Sequence, residues 1–202
     1  SRGLMGFAVF LEPQEELSTV IQAWKNKIDF NLPGQPYCSH LPHCTLVHAD
    51  VTDKQVATLK IKKVLNESVA FSVEVDQVGI FWEDIATGGH TLYLRIKPMQ
   101  EIFNLQLKIA EILRPLVPST QIPDYIFTSS VLRESNKSYG FPFVGSHWIP
   151  HFTIASLMTD RTHPIIAEFM KWQPCYKMIR LDASCWHIDG DQHILLERHF
   201  LQ

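Results

Sequence analysis

The string LPHCTL at residues 41–46 returns as IPHFTI at residues 149–154. Each places an apolar residue, a proline and a histidine ahead of a threonine two positions on, with another apolar residue behind it. A strand sends successive side chains to opposite faces, so His43 and Thr45 project together while Cys44 and Leu46 face the other way. His151 and Thr153 are related identically, with Phe152 and Ile154 opposite. Two such strings roughly 100 residues apart constrain the fold more than anything else here, because they imply a unit built twice.

The flanking sequence repeats as well. GFAVFL (6–11) is an apolar, β-branched and aromatic run stopped by Pro13, and reads as a strand. PQEELSTVIQAWKNKI then carries Leu17, Val20, Ile21, Trp24 and Ile28 at helical spacing, with acids in its first turn. The loop NLPGQPY leads into the first motif strand, and TDKQVATLKIKKVLN reads as a helix capped by Thr52. AFSVEVDQVGIFWE alternates as a strand and pairs with TLYLRI in a hairpin across Gly88 and Gly89. Beyond a midpoint near residue 98 the order returns. The helix MQEIFNLQLKIAEILRPLV aligns Ile102, Leu105, Ile109, Ile112 and Leu113, and the stretch 118–148 shows no clear period. Then come the strand HFTIASL, a helix around HPIIAEFMKW, and the strands YKMIRLDASCWHI and HILLERHFL, joined by DGDQH as a hairpin turn. Helices alternating with antiparallel hairpins indicate an α+β fold. We expect one domain over 1–202, made of two pseudo-symmetric lobes, with motif one at 43–46 and motif two at 151–154.

A chain of 202 residues, 46% hydrophobic and 19% charged, can bury a full core without staples. Its formal net charge of -3 argues against a protein that grips long duplex DNA or RNA by the phosphates, so a nucleic-acid partner would be small or touched at an end. No apolar run approaches the roughly 18 residues of a membrane helix, and SRGLMGFAVFLEP has too short an apolar run and no small-residue cleavage site. A cytosolic or nuclear monomer is expected. Cys38, Cys44, Cys175 and Cys185 form no C-x-x-C pair and read as reduced, mostly buried thiols. His40, His43 and His48 lie close in sequence, but their offsets do not share one strand face and no cysteine or carboxylate completes a zinc set. No metal and no cofactor are expected.

If the two motif strands lie side by side, two imidazoles and two hydroxyls converge on one point. That point suits a phosphate. In-line cleavage of a phosphodiester needs a base on the attacking oxygen and an acid on the leaving oxygen. Two histidines can divide those roles near neutral pH, and two threonine hydroxyls can donate to the non-bridging oxygens.

With its paired H-x-T-apolar strings, the apolar first strand FAVFLEP and the strand TLYLRI before the long helix, the chain resembles the two-histidine (2H) phosphoesterase superfamily. Within it, the likeness is to the RNA cyclic phosphodiesterases once called 2′-5′ RNA ligases. The resemblance implies a bilobal, pseudo-two-fold α+β fold with antiparallel sheets, helices outside and a central cleft. It implies His43, Thr45, His151 and Thr153 as catalytic residues and metal-independent hydrolysis of 2′,3′-cyclic phosphate ends of RNA or small nucleotides, with a 2′-phosphomonoester as the expected product. Around this core, Trp148 and Tyr139 are candidate base-stackers, Lys137 and Arg133 candidate phosphate contacts, and His40 a candidate cleft residue. Arg95 and Lys97 could border the cleft. Two other readings stay open: cleavage of internal linkages in 2′-5′ oligoadenylates or an RNA 3′ tail, for which the aromatic and basic stretch 118–148 would read a second nucleotide, and a module that binds nucleotides or RNA ends without turnover.

Overall fold

The computed structural model describes residues 5–118, 128–178 and 181–201. Its strands form two antiparallel four-stranded sheets. β1 (Met5–Glu12), β2 (Cys44–Ala49), β7 (Asp182–Asp189) and β8 (Gln192–Phe200) make one, in the order β2-β1-β7-β8. β3 (Val73–Phe81), β4 (His90–Ile96), β5 (His151–Leu157) and β6 (Tyr176–Met178) make the other, in the order β5-β4-β3-β6. Each motif therefore sits on an edge strand, and the two edge strands pack on each other. The result is the expected bilobal α+β fold with a central cleft.

Helices α1 (Glu15–Asn31), α2 (Lys54–Glu67), α3 (Gln100–Leu113), α4 (Ser130–Tyr139) and α5 (Pro164–Met170) cover the outer faces. Alternation along β1 shows how the layers divide: Phe7, Val9 and Leu11 enter the main core, while Ala8 and Phe10 join Trp186 and Ile188 in a second apolar cluster on the opposite face. On α3, Ile102, Leu105, Ile109 and Leu113 are buried as the spacing predicts, whereas Ile112 is only partly covered. None of the described helices is long and apolar enough to cross a membrane.

Three local readings change. The cap of α2 is Asp53 rather than Thr52, its carboxylate accepting from the Val56 N–H at 3.0 Å. YKMIRLDASCWHI is split between β6 and β7, which belong to different sheets. Within 118–148, of which 119–127 lie outside the described residues, the aperiodic segment contains α4. Ser129 caps it at the start and Gly140, at φ 74°, closes it in the left-handed region that favours glycine. The helix buries only Ser135, so there is no apolar stripe to see.

Candidate active site

Both motifs are built by the same local device. The proline before each histidine holds the residue before it extended, which aims that residue's carbonyl back at the imidazole. His43 Nδ1 donates to Leu41 O at 2.6 Å, and His151 Nδ1 donates to Ile149 O at 2.6 Å. A carbonyl can only accept, so in each neutral ring the proton is on Nδ1 and the lone pair on Nε2. The motif thus delivers a base at Nε2 that becomes an acid once protonated there.

Register fixes what surrounds each pair. Thr45 faces Phe10 across β1–β2, and Thr153 faces Tyr93 across β4–β5. The His43 ring stacks on Phe10 with centroids 3.9 Å apart, while His151 meets Phe81 at 5.3 Å and Tyr93 at 5.2 Å edge-on. Arg95 is the register partner of His151 and is half-buried beside it. Lys97 is exposed and pairs with Glu74.

The two imidazoles are electrostatically unequal. Burial pushes His43 down to about 3 against the pull of the Leu41 carbonyl, and His193, His40 and Lys25 add to the depression. Burial also lowers His151, but there the Ile149 carbonyl and the Asp84 carboxylate favour the charged form.

Beside His43 lies a cavity of about 150 Å³, walled by Phe10, Trp186, His40 and His193, with Glu12 and Asp191 at its edge. The His40 and His193 rings are 4.0 Å apart, and burial holds His40 down to about 4. Arg198 engages Glu12 through two hydrogen bonds of 2.9 Å. Of the predicted peripheral residues, the structure brings His40 next to His43 and Arg95 next to His151. Trp148 is removed from the cleft: it is 6% exposed and packs edge-on against Phe103 of α3 in the main core. Phe141 is buried with it. Tyr139 is half-buried against the same core, and Arg133 and Lys137 are exposed on α4, which packs on α3.

Nothing local in the sequence marks Phe10, Trp186 and His193 as cleft residues. Phe10 belongs to an apolar run that reads as a buried strand, and only its register with Thr45 reveals its face. Trp186 and His193 come from a hairpin far along the chain, whose position in the sheet of motif one has no local signal.

A sequence profile described as the 2′-5′ RNA ligase superfamily matches residues 13–191. The chain belongs to the 2′-5′ RNA ligase superfamily, the two-histidine phosphoesterases. Comparison with curated protein sequences gives no match. Among solved structures, E. coli LigT without ligand superposes with a TM-score of 0.57 at 11% identity, covering 100% of this chain and 99% of that one. TT0787 of Thermus thermophilus gives 0.58 at 12% identity, covering 98% of each chain. E. coli LigT complexed with 3′-AMP gives 0.53 at 10% identity, again covering 98% of each. At such identities these likenesses carry the fold, while membership in the superfamily supports a phosphoesterase activity.

Proposed function

We propose that this protein is a phosphodiesterase that opens 2′,3′-cyclic phosphates at RNA ends or on small nucleotides, using its two motif histidines as base and acid. The observation that carries the reading is the matched pair of Nδ1-to-carbonyl bonds, which leaves two Nε2 atoms poised for opposite halves of one proton-transfer cycle. His43, beside Lys25, His40 and His193, is the natural base; His151, favoured by Asp84 in its charged form, is the natural acid. Water oxygen bonds to phosphorus as the P–O3′ bond breaks. The water proton passes to His43 Nε2, and O3′ takes a proton from His151 Nε2, giving a 2′-phosphomonoester. Proton exchange with solvent then resets both rings. Thr45 and Thr153 donate to the non-bridging oxygens, and Arg95 adds positive charge near them.

The cavity beside His43 suits the nucleobase. Its walls are aromatic, its imidazoles are neutral at pH 7, and its carboxylates disfavour a second phosphate. With Trp148 and Phe141 in the core, the feature that would have favoured internal linkages is weakened. That E. coli LigT has been crystallised with 3′-AMP and with phosphate is consistent with a nucleotide substrate.

The test is incubation with 2′,3′-cyclic AMP in EDTA, separating 2′-AMP from 3′-AMP by chromatography, beside a 2′-5′-linked triadenylate. We expect 2′-AMP from the cyclic substrate and little cleavage of the oligomer. Preferential cleavage of the oligomer would replace the substrate assignment, and no product from either would leave a binding module.

A further inference from the structure

Both ladders skip one residue next to the motif. Val9 and Phe10 face Val47 and Thr45, leaving Leu46 as the extra residue, and Leu92 and Tyr93 face Ala155 and Thr153, leaving Ile154. In each lobe the extra residue is the apolar one directly after the motif threonine. Such a bulge re-aims the neighbouring side chains, but it leaves a carbonyl outside the ladder in buried surroundings.

Each of these carbonyls is captured by one long polar side chain from a helix. Lys25 Nζ donates to Ile154 O at 2.7 Å and to Tyr37 O at 2.9 Å. Gln106 Nε2 donates to Leu46 O at 3.1 Å and to Phe143 O at 2.7 Å, and its Oε1 accepts from Gly145 N at 3.3 Å. Lys25 is 2% exposed and Gln106 0%, so both occupy core positions where an apolar side chain would normally sit. The helices are also exchanged. α1 links two strands of the first sheet, yet its lysine holds motif two; α3 links two strands of the second sheet, yet its glutamine holds motif one.

We propose that Lys25 and Gln106 are positioning residues, each holding the bulge behind one histidine–threonine pair from a helix of the opposite lobe, so that the two pairs are fixed relative to each other across the cleft. The hydrogen bonds need no charge, since an amide serves motif one. The ammonium has a second effect: Lys25, lowered by burial to about 8 and so still charged at pH 7, lies close enough to His43 to oppose its protonation.

The catalytic part of this inference rests on the proposed function, and the experiment separates the two. Lys25→Met, Lys25→Gln and Gln106→Leu are compared with wild type by circular dichroism, by kcat and KM on 2′,3′-cyclic AMP, and by histidine ring ¹H–¹⁵N spectra, which require no turnover. A misplacement of about 1 Å can cost about 10²-fold. Lys25→Met and Gln106→Leu should therefore lower kcat by about 10–100-fold with KM within about threefold, and should move the ring signals of His151 and His43 respectively. Lys25→Gln should recover part of kcat, because it can still donate. The acid limb of kcat/KM should rise in pH in both Lys25 variants and stay in place in Gln106→Leu. Folded variants with kcat within twofold of wild type and unmoved ring signals would reduce both residues to satisfied core polar groups and overturn the inference. If wild type does not turn over cyclic AMP, the proposed function falls while the ring spectra still decide the positioning role. Should Lys25→Met fail to fold, Lys25→Gln and Gln106→Leu carry the same decision.

Discussion

At His43 and His151 the same amino acid meets the same backbone bond but different electrostatic surroundings. Both rings hold Nδ1 on a carbonyl, but cationic or protonatable neighbours crowd His43, whereas a carboxylate favours the charged form of His151. In the proposed mechanism the free protein is productive with His43 neutral and His151 protonated. That form is lost as pH rises through the His151 value, which lies below 6.5, and as pH falls through the His43 value of about 3. We therefore expect kcat/KM to peak on the acid side of 6.5 and to decline through neutrality. The kcat profile should lie at higher pH, because a bound phosphate anion favours both imidazolium forms. Rates measured across pH at constant ionic strength check this, and a kcat/KM that climbs steadily from pH 5 to 8 would reverse the roles or remove them.

At the scale of elements, the β3–β4 hairpin packs two aromatic rings against the His151 imidazole. Gly79 lies opposite Tyr93, and a methyl group there would overlap the tyrosine ring. The absence of a side chain lets Tyr93 lie flat, stacked on Phe81 at 4.1 Å, and both rings flank His151. Gly79→Ala should cost about 1–3 kcal/mol of stability by overpacking and lower kcat more than it changes KM, as thermal melts and kinetics on cyclic AMP would show. The elements themselves are largely legible in the sequence, because β1, α1, α3 and the motif strands carry strong periodicity. α4 is not, although its Ser129 cap and Gly140 stop are in plain sight, since a helix that buries one serine has no apolar period. Lys25 leaves a sharper trace: it falls in the buried stripe Leu17, Ile21, Lys25, Ile28. A cation at such a position needs partners, and only the fold can name them.

Over the whole molecule, the duplication is interleaved rather than sequential. The hairpin β7–β8 returns to flank β1, so the sheet of motif one is made from both ends of the chain. A midpoint near residue 98 marks the repeat of strand, helix and strand, but not the border between sheets. The His/Thr pairs are legible because their chemistry is local, while the cavity walls and the exchange of α1 and α3 depend on long-range packing that no short window contains. This interleaving leads to the central claim, that one histidine from each lobe shares a single reaction. The most direct test is kcat on 2′,3′-cyclic AMP for His43→Ala, His151→Ala and the double variant. Groups that act as a unit lose their effect together, so each single variant should fall by about 10²–10⁴-fold and the double variant little further. Full activity in either single variant, or losses that multiply in the double one, would contradict it.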